Sequence, residues 1–265
     1  MAKADPDVSQ TIPPIPKAPP PGERDANGSA WRDLASHLRL WPVAAVGLVI
    51  DLWTKHWAFT HLGEDSFPNG YVVIEHVVSF RRSLNAGALF GLGKGMTPVF
   101  IAASFLALLF VCYLFIHSSR SRRSLHLGLA LVLAGALGNL YDRAFVQADI
   151  VRYTVEGRAY SEVVKVVEET PAGVIVGEWP EGLHPRLIPA AYQPELSTSG
   201  VVRDFIKMEP RFTLAGRTIE IWPWVFNIAD AWLVVGVGLL MLNFWWDHKA
   251  ERQQREQEGA AATQG

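Results

Sequence analysis

Cysteine is almost missing from this chain. Cys112 stands alone, which excludes an intrachain disulfide and a cysteine cluster for a metal. Excess charge of either sign is missing too. With 24 Lys and Arg against 26 Asp and Glu, and no basic stripe with interleaved aromatics, nucleic acid is not an expected partner. The first 30 residues lack any apolar run: "IPPIPKAPPPGERDANGSA" is rich in Pro, Gly and Ala and cannot bury a core. Residues 1–36 are therefore expected to be a disordered, partly polyproline tail, and not a cleavable signal peptide.

Apolar residues are abundant. They make up 49% of the chain, with 10 Trp, and they gather in four blocks of about 20 residues, the length a helix needs to cross a hydrocarbon core. The blocks run from Leu40 to Phe59, Thr97 to His117, Ser124 to Tyr141 and Trp222 to Trp246. Cys112 lies in the second, where packing is its expected role. Basic residues set the orientation. Arg32 and Arg39 precede the first block, Arg120, Arg122 and Arg123 join the second to the third, and Lys249, Arg252 and Arg255 follow the fourth. Both termini, including the tail at 250–265, are then cytoplasmic, and the two longer connections face outward. The second of these has strand-like stretches, "YTVEG", "EVVKVVEE" and "RFTLAGRTIEI", which suggest short hairpins. The expected fold is an α-helical membrane protein with four transmembrane helices and a small extracytoplasmic β-rich portion.

Polar residues inside the blocks share one depth. Asp51 lies 12 residues beyond Arg39, and Asn139 lies 16 beyond Arg123, roughly 18 and 24 Å along a helix. Asp230 lies 16 residues before Trp246, again roughly 24 Å. Asp51 with Lys55, Asn139 with Arg143, and Asn227 with Asp230 have the spacing that puts each pair on one helix face. Wet helix ends would explain any one pair, and Asp51 with Lys55 reads equally as an interfacial ion pair. The whole set points to a shared polar cavity opening outward, because ionisable groups in membrane helices are costly and face a partner or water. Asp204, in "VVRDFI", lies on a segment that can return to the membrane surface. Two carboxylates, Asp204 and Asp230, suit water-mediated peptide hydrolysis, since like-charge repulsion leaves one as base and the other as acid. A transporter or proton relay would also carry such residues, though at the midplane and often in inverted repeats, neither of which is seen. A scaffold that binds proteins through its outer portion is the third reading.

Five stretches in order, "DLWTKHW" around Asp51, "NAGALFGL" from Asn85, "GALGNLYDR" from Gly135, "VVRDFI" around Asp204 and "FNIADAWLVVG" from Phe226, are specific together. Through them the chain resembles the lipoprotein signal peptidases (signal peptidase II). These are bacterial four-helix membrane aspartyl proteases that cut the signal peptide from prolipoproteins once the cysteine carries its diacylglyceryl group. The resemblance implies a catalytic pair at Asp204 and Asp230, with Asp51, Lys55, Asn85, Gly87, Asn139, Arg143 and Asn227 lining the site. It implies a multi-pass protein of the bacterial cytoplasmic membrane, a diacylglyceryl-modified prolipoprotein as substrate, membrane lipid as surroundings, and no cofactor or metal. Arg143 is expected to offer its fork of donors to a substrate carbonyl, and Asp142 to be structural, capping or pairing locally. The glycine-rich "NAGALFGLGKG" follows no nucleotide-binding pattern and is expected to be a loop near substrate.

Two features depart from the family. Arg203 replaces an apolar residue before the aspartate, and the link from Arg143 to Asp204 carries some fifty extra residues, an insertion at about 147–200. Loop closure tolerates such a length. The insertion is expected to modulate access, to contact an extracytoplasmic partner, or to do neither. The peptidase unit is expected over residues 37–249.

Overall fold

The computed structural model describes residues 28–62, 71–87, 97–214 and 217–263. Most of the proline-rich tail and the glycine-rich stretch after Gly87 lie outside the described residues. Among the described residues four helices are long and apolar enough to cross a membrane: α1 (Leu34–His61), α2 (Thr97–Ile116), α3 (Arg123–Phe145) and α4 (Ile228–Thr263). Within a bilayer a helix satisfies its backbone groups internally, and its apolar side chains need no protein partner. The lipid-like faces follow: Val46, Val49, Trp53, Leu106, Leu109, Val234 and Met241 are exposed. Helix α3 is central, with 61% of its apolar window buried against 11–28% for the others.

Close approach of α3 to its neighbours depends on small residues. A Cβ at Gly135 would lie 2.4 Å from the Ala229 carbonyl oxygen on α4, and one at Gly138 only 2.3 Å from Asp51 Oδ2 on α1. Glycine at these two positions therefore lets α3 touch both the α4 backbone and a buried carboxylate. Leu125, Leu129, Leu133, Leu40, Val111 and Phe115 close the apolar side of the bundle.

The β content exceeds the small portion expected. Strands β1 (Tyr71–Ile74), β2 (Val78–Asn85), β8 (Val202–Met208) and β11 (Val225–Phe226) form a four-stranded sheet in that order. Its register pairs Ser83 with Asp204 and Ile206 with Phe226, so it carries the end of β2, the middle of β8 and the start of α4 to one place. Strands β9 (Arg211–Leu214) and β10 (Arg217–Glu220) pair antiparallel, with Leu214 opposite Arg217.

The insertion is a five-stranded antiparallel sheet in the order β6-β5-β4-β3-β7. Its strands are β3 (Gln147–Val155), β4 (Arg158–Thr170), β5 (Gly173–Glu178), β6 (Leu183–Pro189) and β7 (Glu195–Gly200). Val151, Val164, Val174, Val176 and Ile188 form its core. The β3–β4 turn is Glu156–Gly157, both at positive φ (51° and 75°), the geometry that matches the twist of a two-residue hairpin. First and last strands pair directly, Gln147 opposite Gly200 and Val151 opposite Leu196, so the sheet leaves the chain and returns at one point.

Three sequence expectations need correction. Residues 28–36 are ordered: Ala30 is buried, Ser29 Oγ donates to the Ile116 carbonyl (2.9 Å), and Asp33 accepts from Ser36 N (2.9 Å), capping α1. Cys112 is exposed on α2 and does not pack into the core. The fourth helix begins at Ile228, because Trp222–Asn227 is spent on β11 and the turn before it. Asp230 is therefore in the first turn of α4, not eight residues deep.

Candidate active site

Asn227 and Asp230 cap α4 reciprocally. Asn227 Oδ1 accepts from Asp230 N (3.0 Å), and Asp230 Oδ2 accepts from Asn227 N (3.1 Å), the double bond pattern of a capping box. A third orphan donor, Ala229 N, is taken by Asp51 Oδ1 from α1 (2.8 Å). Two carboxylates thus sit at a helix N-terminus, where free N–H groups and the helix dipole favour negative charge.

Behind them lies a dry ladder of alternating charge. Lys55 Nζ is 2.8 Å from Asp51 Oδ2 and 3.4 Å from Asp142 Oδ2, all three side chains being fully buried. The Asp51 contact is an ion pair without the alignment of a hydrogen bond on Oδ2. Asp142 also accepts from Arg203 Nη2 (2.6 Å), Nε (3.1 Å) and the backbone N (2.9 Å). Asp142 is therefore structural as expected, but its partners are remote: it ties α3 to α1 and to β8. Arg203, the charged departure in "VVRDFI", is its counter-ion. Successive side chains on a strand point to opposite faces. Arg203 turns to Asp142 while Asp204 turns into the cavity.

Two amides connect the carboxylates. Asn139 Oδ1 accepts from Lys55 Nζ (3.1 Å) and Asn227 Nδ2 (3.2 Å), while its Nδ2 donates to Asp230 Oδ1 (2.9 Å). Asn227 Nδ2 also donates to Asp204 Oδ1 (2.6 Å). Each amide has its orientation fixed by partners that can only donate or only accept. Asp204 is buried, and loss of hydration pushes its carboxyl up to about 8, with the negative charge of Asp230 adding to the rise. Hydrogen bonds from Asn227 and Asn85 oppose it and are outweighed.

Arg143, one turn from Asn139 on α3, lines the same cavity. Its Nη2 donates to the Gly87 carbonyl (2.7 Å), its guanidinium sits 4.7 Å from the Phe100 ring centroid, and its buried Nη1 has no hydrogen-bond partner among the described residues. Asn85 accepts from Gly87 N (2.9 Å), which shapes the turn that offers this carbonyl. All nine residues singled out from sequence fall around one locus. Asn85, Asn139, Arg143, Asp204 and Asp230 line a cavity of about 1510 Å³; Asp51, Lys55 and Asn227 stand behind it. The cavity runs from an apolar side, between Ala103 and Ala107 of α2 and Leu233 and Val234 of α4, to a polar rim on the β-sheets.

The family model for signal peptidase (SPase) II matches residues 43–246, most of the chain. The chain belongs to the signal peptidase II family. Relatives in that family include the lipoprotein signal peptidases of Clostridium novyi and Rhodopirellula baltica. The first is 35% identical over 99 residues, covering 37% of this chain and 65% of that protein. The second is 32% identical over 136 residues, covering 51% of this chain and 60% of that protein. The chain thus spans less than two thirds of the length of either. The protein of Desulfitobacterium hafniense strain DCB-2 is 28% identical over 170 residues, 64% of this chain and 70% of its own length. A solved bacterial membrane enzyme shares the fold with a TM-score of 0.50 at 21% identity, over 81% of this chain and 89% of its own.

Beyond the residues that carry the signal peptidase II resemblance, the structure adds the Asp142–Arg203 pair. It also adds a cavity wall from the insertion, where Glu162, Val163, Glu178, Trp179 and Arg186 join the lining. The charge at Arg203 was a signal for the pair. Nothing in the sequence of the insertion told which face of it would meet the cavity.

Proposed function

We propose that the chain is an aspartyl endopeptidase that removes the signal peptide from diacylglyceryl-modified prolipoproteins, cutting before the lipidated cysteine. The observation that carries this reading is the bridging of Asp204 and Asp230 through Asn227 and Asn139 at the wall of a cavity that is apolar on its membrane side. Asp204, whose proton is retained near neutral pH, is the acid; Asp230 is the base. Asp230 takes a proton from a water as that water attacks the scissile carbonyl, and Asp204 gives its proton to the carbonyl oxygen. Collapse of the tetrahedral intermediate breaks the C–N bond, with a proton passing to the leaving nitrogen. The Nη1 of Arg143, without a hydrogen-bond partner among the described residues, supplies a donor for a substrate carbonyl. The apolar groove between α2 and α4 suits the signal helix or an acyl chain arriving within the membrane plane.

Orientation belongs to the same proposal: cytoplasmic membrane, both termini inside, and site and sheets outside. In support, the basic segments meet at one end of the bundle. Arg39 Nη1 donates to the Arg120 carbonyl (2.9 Å), and Arg122 pairs with Asp247 (2.5 Å).

The test is the cleavage rate of a lipidated precursor by purified Asp204→Asn and Asp230→Asn. Each should lose at least about a thousandfold in turnover, and the double variant should be no worse, because groups acting as a unit are not additive. Substantial turnover by either single variant refutes the acid–base pair.

A further inference from the structure

We propose that the insertion sheet builds an outer subsite of this cavity, which holds in extended form the polypeptide that follows the lipidated cysteine of the substrate. The inference rests on the peptidase reading and adds what the extra residues do. The first support is continuity. Glu162, Glu178, Trp179 and Arg186 line the same cavity as Asp204 and Asp230, and at about 1510 Å³ it exceeds the roughly 300–1,000 Å³ of a small-molecule pocket. The second is anchoring. The turn after β5 is held by the sheet's own first strand and by the peptidase body: Trp179 Nε1 donates to the Gln147 carbonyl of β3 (3.0 Å), while its ring meets Phe59 of α1 edge-on at 6.2 Å and Glu181 lies 4.0 Å from Arg82 of β2. A wall held in this way can contribute to recognition without ordering itself at each turnover.

The third support is chemistry. At the helix side the lining is apolar, as a signal segment or acyl chain requires. At the insertion side it carries acceptors and a donor: Glu162, ion-paired with Arg186, and Glu178, each at least a third exposed. Such a rim offers partners of both kinds to the N–H and C=O groups of an extended chain, with the Trp179 ring as its apolar contact. A peptide bond held at Asp204 and Asp230 has the signal on one side. The other side must leave past this rim.

The experiment compares kcat/KM on two lipidated precursors, one ending a residue after the cysteine and one continuing about ten residues further, roughly 33 Å when extended. Wild type should prefer the longer one. Trp179→Ala and, separately, Arg186→Gln should each shrink the long-to-short ratio about fivefold, the scale of one lost aromatic or charged contact. A ratio is used because it cancels differences in folded fraction. As Val151 faces Leu196 in the β3–β7 register, a variant joining them by Asn-Gly in place of residues 152–195 removes most of the sheet and should abolish the preference. A ratio near one in wild type overturns the subsite. So does an unchanged ratio in the Trp179 and Arg186 variants, and the rim is then free to meet a separate protein. Failure of wild type to cut either precursor overturns the peptidase reading itself, a different outcome from cutting both without preference.

Discussion

Asp204→Asn should inactivate the protein and stabilise it. The side chain is buried and its carboxyl is raised from 3.8 to about 8, first by lost hydration and then by Asp230. In the unfolded chain the same carboxyl ionises near its ordinary value, so between these two limits the unfolded state binds fewer protons and folding becomes less favourable as pH rises. Below pH 4 the group is protonated in both states and carries no such cost; the cost grows through neutrality and is complete above about pH 8. At about 1.4 kcal/mol per pH unit the ceiling at pH 7 is roughly 4 kcal/mol, and coupling to Asp230 spreads part of it over the pair. An amide has the shape of the protonated acid. Its Oδ1 can still accept from Asn227. The assay is thermal unfolding of both proteins in one detergent from pH 4 to 9. The variant should melt roughly 5–15 °C above the parent at pH 8, at about 2–4 °C per kcal/mol, and the gap should close toward pH 4. A variant less stable than the parent at pH 8, or a gap that does not vary with pH, would refute the reasoning, since it would mean that Asp204 is held charged by partners that favour the carboxylate.

Arg143→Lys keeps the charge but replaces a planar fork, whose donors on separate nitrogens can face the Gly87 carbonyl and the substrate at once, by a compact ammonium without that geometry. Its kcat/KM should fall about a hundredfold with the pH profile unmoved, and a variant within a factor of three of wild type would remove the geometric role. For orientation, Ser121→Cys and Ser197→Cys, each placed in Cys112→Ser, are compared for labelling of intact cells by an impermeant thiol reagent. The cysteine at position 197, on β7, should react and the one at 121, between α2 and α3, should not; the opposite pattern reverses the topology.

How far the site was legible depended on which contacts stay within one element. Asp51 with Lys55 and Asn139 with Arg143 are spaced by the helical repeat, so the sequence carries their common faces, and their charge inside apolar blocks marks them as expensive. The start of α4 was misread because an apolar, Trp-rich run has the same length and hydropathy whether it is helix or a strand followed by a helix. Pro223 and the spacing of Asn227 and Asp230 were the available signals, a breaker followed by a capping pair. The Asp142–Arg203 contact joins residues 61 apart on a helix and a strand, and no periodicity reports such a pair. The strands of the insertion were visible in their alternation. Their placement on the cavity depends on Trp179 meeting Phe59, a packing event between distant segments.

Charge counting then accounts for the protonation of the site in a way that no single contact does. The inner ring holds three cations, Lys55, Arg143 and Arg203, and four carboxyls, Asp51, Asp142, Asp204 and Asp230. Water is excluded from most of it, and burying uncompensated charge costs several kcal/mol per ion even after relaxation, roughly as much as any bond in the site contributes. One retained proton makes the ring neutral. Asp51 and Asp142 each have a cation within 3 Å, and Asp230 sits in the first turn of α4 and accepts a backbone N–H there, while buried Asp204 has neither a cation partner nor a helix N-terminus among the described residues, so the proton belongs on Asp204. Arg203 is part of this balance: with an apolar residue at 203 the same four carboxyls would face two cations, and a second proton would be needed to keep the ring neutral. Arg203 thus leaves Asp204 and Asp230 with one proton between them, the state that the proposed acid–base pair requires.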